Sequence, residues 1–176
     1  MTNVIRKSLY LREYEKVDLY VDMMLDNLDD EELDSNSANR LIYILSQHNP
    51  PSRALDIFQV MPQKNINFRT YQNTILACQR GSKAENDPIY FESALSLLRR
   101  MEESGLNPTK EVFSSVISTC CAVGNWQAAF AIFSRYKECR NVYCLNSALA
   151  VCCSSGAWLE GKLSSYRWLL RWVSSL

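Results

Sequence analysis

Few side chains in this sequence could make or break bonds, and they are scattered. The chain has seven cysteines and one histidine, His48. A zinc site needs about four clustered ligands, usually with close pairs of cysteines or histidines. No Cys-x-x-Cys pair occurs, and His48 has no ligand partner nearby in sequence. Cys78, Cys120 and Cys152 instead share one slot of a recurring helix, on its apolar side. That placement suits small hydrophobes in a reducing compartment better than a disulfide framework. No acid pair, Ser/His/Asp set or Gly-rich phosphate loop stands out. The expectation is therefore no catalysis, no metal, no cofactor and no small-molecule substrate.

The elements that carry these residues follow one phrase. Residues 94–121 place Ala94, Leu95, Leu97, Leu98 and Met101 on one helical stripe. Gly105 then suits a left-handed helix stop, Pro108 a first helical position, and Glu111 a first turn. The next stripe is Val112, Phe113, Val116, Ile117 and Cys120. Ala54-Leu55 with Met61, and Ala129-Phe130 with Tyr136, repeat the first stripe. The intervals are 40 residues from Ala54 to Ala94 and 35 from Ala94 to Ala129. Ile42, Ile75, Ile117 and Leu149 mark the second stripe. A period between about 20 and 50 residues is the signature of a repeat architecture.

Read in order, residues 1–34 are an acidic helical leader whose Val17, Tyr20, Val21 and Met24 resemble a degraded repeat helix. Repeats follow at 35–67, 68–109 and 110–141, with a partial one at 142–160. The first should close on Asn65, in the place that Gly105 takes later. The second is longer, and its polar, turn-rich surplus at 81–87 predicts a surface loop between two helices. Residues 161–176 form a Trp/Arg-rich tail or cap. The fold class expected is all-α: an α-solenoid of antiparallel helix pairs stacked into a right-handed superhelix.

Charge is uneven along the chain. Residues 1–34 hold 4 Lys/Arg against 10 Asp/Glu, and residues 35–176 hold 15 against 9. The repeats are mildly basic, which favours phosphate-bearing partners weakly. No apolar run approaches the roughly 18 residues that span a bilayer. The start meets Glu13 and Glu15 early, unlike a transit peptide.

Two phrases resemble a known family. Thr70-Tyr71-Gln72-Asn73-Thr74-Ile75-Leu76-Ala77-Cys78, and the run from Ala94 through Met101-Glu102-Glu103-Ser104-Gly105-Leu106-Asn107-Pro108-Thr109, resemble the pentatricopeptide repeat (PPR). The tetratricopeptide repeat is the nearest competitor, but it wants a Trp and a Gly-Tyr pair in its first helix. The resemblance implies single-stranded RNA binding in mitochondria or chloroplasts, one base per repeat. It implies that a polar residue early in each first helix and the last residue of the repeat select the base. Those positions are Asn39, Gln72, Ser114 and Asn146, with Asn67, Thr109 and Asn141. Arg80, at the end of a first helix, is placed to meet a phosphate. The positions that commonly sandwich the base with an aliphatic hold Asn36, Arg69, Glu111 and Tyr143. An alternative is therefore a helical-repeat scaffold that binds other proteins of an organellar ribonucleoprotein.

Overall fold

The computed structural model describes residues 2–26, 35–47, 51–136 and 142–154. Every regular element among them is helical: α1 Thr2–Tyr10, α2 Tyr14–Asp26, α3 Ser35–Gln47, α4 Ser52–Val60, α5 Phe68–Glu85, α6 Pro88–Glu103, α7 Lys110–Thr119, α8 Trp126–Arg135 and α9 Val142–Ser154. A single 3-10 turn, Gln63–Asn65, lies between α4 and α5. The helices form hairpins, α1–α2, α3–α4, α5–α6 and α7–α8, with α9 following. Helices α3, α5, α7 and α9 pack side by side as an inner row. Their partners α4, α6 and α8 each rest in the angle between two inner helices. This is the expected all-α solenoid. The leader joins it as a full hairpin, with α1 against α3 and α2 against α4; Val17 and Val21 are buried.

The apolar stripes explain the stacking. Ala54, Ala94 and Ala129 are fully buried. Phe58 meets Tyr71 of the next repeat at 5.4 Å between ring centroids. Phe113 meets Tyr136 at 4.5 Å. Tyr71 is buried, and its hydroxyl reaches the Arg100 carbonyl at 3.4 Å and the Ser104 hydroxyl at 3.2 Å. The buried hydroxyls of Thr74 and Thr119 donate to carbonyls one turn back, Thr70 at 2.8 Å and Val116 at 2.7 Å. A buried hydroxyl without such an acceptor would cost about 1–3 kcal/mol.

Gly105 ends α6 as its position suggests. Its φ is 73°. Leu106 N–H donates to the Met101 carbonyl at 3.1 Å and Gly105 N–H to Glu102 at 2.9 Å. These are the paired bonds of a Schellman stop.

Three local expectations are corrected. Residues 81–85 are not loop: α5 runs to Glu85, and the surplus adds turns to the helix. Asn86 supplies the left-handed stop at φ 55°, and Asp87 caps α6 by accepting from Ile89 N–H. Composition alone points to a turn, but Gly81 and Ser82 are buried, and the Tyr90 ring of α6 lies against Gly81. Asn65 is not a left-handed cap either. It closes the 3-10 turn, because Pro62 after Met61 stops α4 early. Pro108 precedes α7 rather than opening it, and Thr109 is the N-cap residue. Residues 155–160 and the tail at 161–176 lie outside the described residues.

Candidate nucleic-acid interface

The inner row positions the candidate residues. Asn39 on α3, Gln72 on α5, Ser114 on α7 and Asn146 on α9 occupy one recurring slot of four adjacent helices. Their environments differ. Asn39 is 9% exposed, Gln72 and Ser114 are half-buried, and Asn146 is exposed. Ser114 Oγ lies 3.1 Å from Ser147 Oγ on α9. The third slot is therefore bonded to its neighbouring helix, and a base reaching it must compete with a hydroxyl.

The terminal candidates have structural duties. Asn67 caps α5: its Oδ1 accepts from Arg69 N–H at 2.9 Å and Thr70 N–H at 3.2 Å. Thr70 Oγ1 accepts in return from Asn67 N–H at 3.0 Å. This reciprocal box satisfies donors that a helix start otherwise leaves open. Thr109 holds the same position before α7, but its side chain makes no cap bond. Asn141 lies outside the described residues.

Arg80 has an intramolecular partner. Its Nη1 donates to the Ser46 carbonyl at 2.8 Å, in the last turn of α3. A cation there meets both an open carbonyl and the negative end of the helix dipole. Arg80 is not at the end of its helix, since α5 continues to Glu85; from inside α5 it ties that helix to the end of α3. Exposed cations elsewhere on the inner helices or their entry turns are Arg40, Arg69, Lys83 and Lys110. They spread positive charge along the row that carries the slots. Tyr43, also on α3, is 52% exposed.

Sequence reasoning passed over several ties. Ser147 is one. Another is Arg53 on α4, whose Nε meets Asp18 Oδ1 at 2.9 Å and Nη1 meets Asp22 Oδ1 at 3.0 Å on α2. The i, i+4 spacing of the two aspartates is visible in sequence, but their partner lies more than 30 residues away. Tyr90 is a third. Its hydroxyl donates to Glu85 Oε2 at 2.6 Å. Burial, then the hydrogen bond to Glu85, holds this phenol above its ordinary value.

Cys78 and Cys120 are not reactive centres. Burial pushes the Cys78 and Cys120 thiols up to about 12. A thiolate is therefore scarce at neutral pH, and both side chains act as packing groups. Among the described residues no cluster of His, Cys, Asp and Glu could hold a metal ion. None of the described helices is long and apolar enough to cross a membrane.

Stacked helical hairpins with an inner row of polar slots define an α-solenoid repeat protein. Two of its repeats match a known family. The family model described as PPR repeat matches residues 37–66 and 111–141. The chain is similar in fold to the PPR domain of Arabidopsis thaliana protein-only RNase P 1 (PRORP1), solved in complex with tRNA. The TM-score is 0.57 at 18% identity, over 98% of each chain. No curated protein matches the chain.

Proposed function

We propose that this array binds single-stranded RNA and serves in the processing, stability or translation of transcripts in a mitochondrion or chloroplast. The observation that carries the reading is the row of polar slots, Asn39, Gln72, Ser114 and Asn146, on adjacent helices that also bear exposed cations. Amide and hydroxyl groups both donate and accept, as the edges of unpaired bases require. Exposed Arg and Lys attract the backbone independently of sequence. The tRNA bound by the PPR domain of PRORP1 supports RNA as the ligand class. The role is binding; the chemistry on a bound transcript would belong to another protein.

Asn146 is the most exposed slot, and Gln72 is half-buried without the bond to Ser147 that occupies Ser114; we assign base selection chiefly to these two. A second reading, a protein scaffold in an organellar ribonucleoprotein, draws on the burial of Asn39 and the Ser114–Ser147 bond. Fluorescence anisotropy with labelled mixed-sequence single-stranded RNA at two salt concentrations separates them. The RNA reading expects saturable binding that weakens as salt rises. An absence of binding even at low salt would leave the scaffold.

A further inference from the structure

The outer helices do not all meet in the same way. Between α2 and α4 the seam is tied by Arg53, which pairs with Asp18 and Asp22. Between α6 and α8 the seam is open. Both helices lean on α7, and a cavity of about 190 Å³ lies between them. Its walls are Leu95 and Leu98 on one side and Ala128 and Ile132 on the other, with Arg99 and Arg135 beside them. A second cavity of about 410 Å³ adjoins it, shares Arg135 and Tyr136, and runs to the Gly105–Pro108 turn. Glu102 stands in that second cavity, away from the first.

The charges decide what fits. Arg99 and Arg135 are both exposed, and neither pairs with a carboxylate among the described residues. Arg135 sits over the Tyr136 ring at 5.2 Å, which leaves its N–H edge for an acceptor. Two like charges cannot close a seam by themselves. An apolar trough flanked by two cations has the complement of an amphipathic helix with acidic flanks. The chain itself contains one such pairing: α2 lays Val17 and Val21 into the array and offers Asp18 and Asp22 to Arg53.

We propose that the α6–α8 seam docks an acidic amphipathic helix of a partner protein, with aliphatic side chains in the trough and carboxylates on Arg99 and Arg135. None of the slot residues lines either cavity. The site is thus separate from the RNA interface, and both could be filled at once.

The probe is a fluorescein-labelled peptide with the sequence of residues 14–26, titrated into the full chain by anisotropy. The expected result is saturable binding in the micromolar range that weakens with salt. R99E/R135E should lower affinity about tenfold or more, with an unchanged circular dichroism spectrum and only a small drop in melting temperature, since both side chains are exposed and Arg135 lies in the last turn of α8. A peptide carrying Asp18→Lys and Asp22→Lys should not bind. RNA binding by R99E/R135E should match the parent chain. Four results would overturn the proposal. The peptide does not bind at millimolar concentration. It binds R99E/R135E equally well, which would place it at Arg53 in exchange with α2. RNA competes with it and R99E/R135E loses RNA binding, which makes the seam a phosphate site. Or sedimentation shows a dimer that R99E/R135E dissolves, which makes the occupant a second copy.

Discussion

The ring of Tyr90 on α6 lies against the bare Cα of Gly81 on α5. A Cβ at residue 81 would collide with three ring carbons. Glycine within a helix ordinarily costs about 0.5–1 kcal/mol relative to alanine. Here it admits the ring, and the Tyr90 hydroxyl then reaches Glu85 one turn further on. The longer second repeat is therefore a packed helical extension of α5.

Gly81→Ala tests that contact through its sign. Propensity alone makes the variant more stable by up to about 1 kcal/mol. Overpacking against the ring makes it less stable by about 1–3 kcal/mol, and we expect the second. Urea denaturation measures the difference, and Gly81→Ala with Tyr90→Leu should recover much of it. Greater stability of the single variant would remove the contact as an explanation.

Ala94 and Ala129 are fully buried in the apolar stripes of α6 and α8. Ala94→Leu and Ala129→Leu should each lower stability by about 1–3 kcal/mol. Thermal melting followed at 222 nm checks both. Unchanged midpoints would contradict the register of the stack.

Arg80 separates a structural role from a functional one. Because it caps the end of α3 through Ser46, Arg80→Ala should lower the melting temperature. If it also meets a phosphate, the slope of log affinity against log salt should fall by about 0.7, the single-strand value per contact. A lower melting temperature with an unchanged slope assigns Arg80 to the fold alone. Gln72→Ala, by contrast, should alter base preference more than overall affinity, read with homopolymer RNA.

The thiols predict a pH dependence. In the unfolded chain Cys78 and Cys120 ionise near 9.0, and in the folded chain only near 12. Between those values the folded state holds protons that the unfolded state has released. Stability should therefore be intact below about pH 9 and decline as pH rises toward 12. Alkylation mapped by mass spectrometry at pH 8 should modify the exposed Cys153 and spare Cys78 and Cys120 until denaturant is added. Rapid modification of Cys78 in the native protein would contradict its burial.

Much of the fold was legible in the sequence because its determinants are local. The stripes that bury Ala94, Met101, Phe113 and Ile117 are periodic within a single helix. The stop at Gly105 is encoded within six residues, since one αL conformation brings two N–H groups onto nearby carbonyls. Stacking follows because each hairpin exposes an apolar face that its neighbour can cover. The candidate slots were legible as positions, since they recur with the repeat. What each slot does was not, because its partners come from other helices. Ser114 meets a hydroxyl 33 residues away, and Arg80 a carbonyl 34 residues away. The same holds for 81–87, where composition alone indicates a turn and the ring of Tyr90 selects a helix. Sequence by itself determined the helix pairs, their register and the polar row. Tertiary packing alone decided how long α5 runs, which slots stay open and which seam between outer helices is left unpaired. Those outcomes depend on which groups meet across the stack, and local propensity carries no record of that.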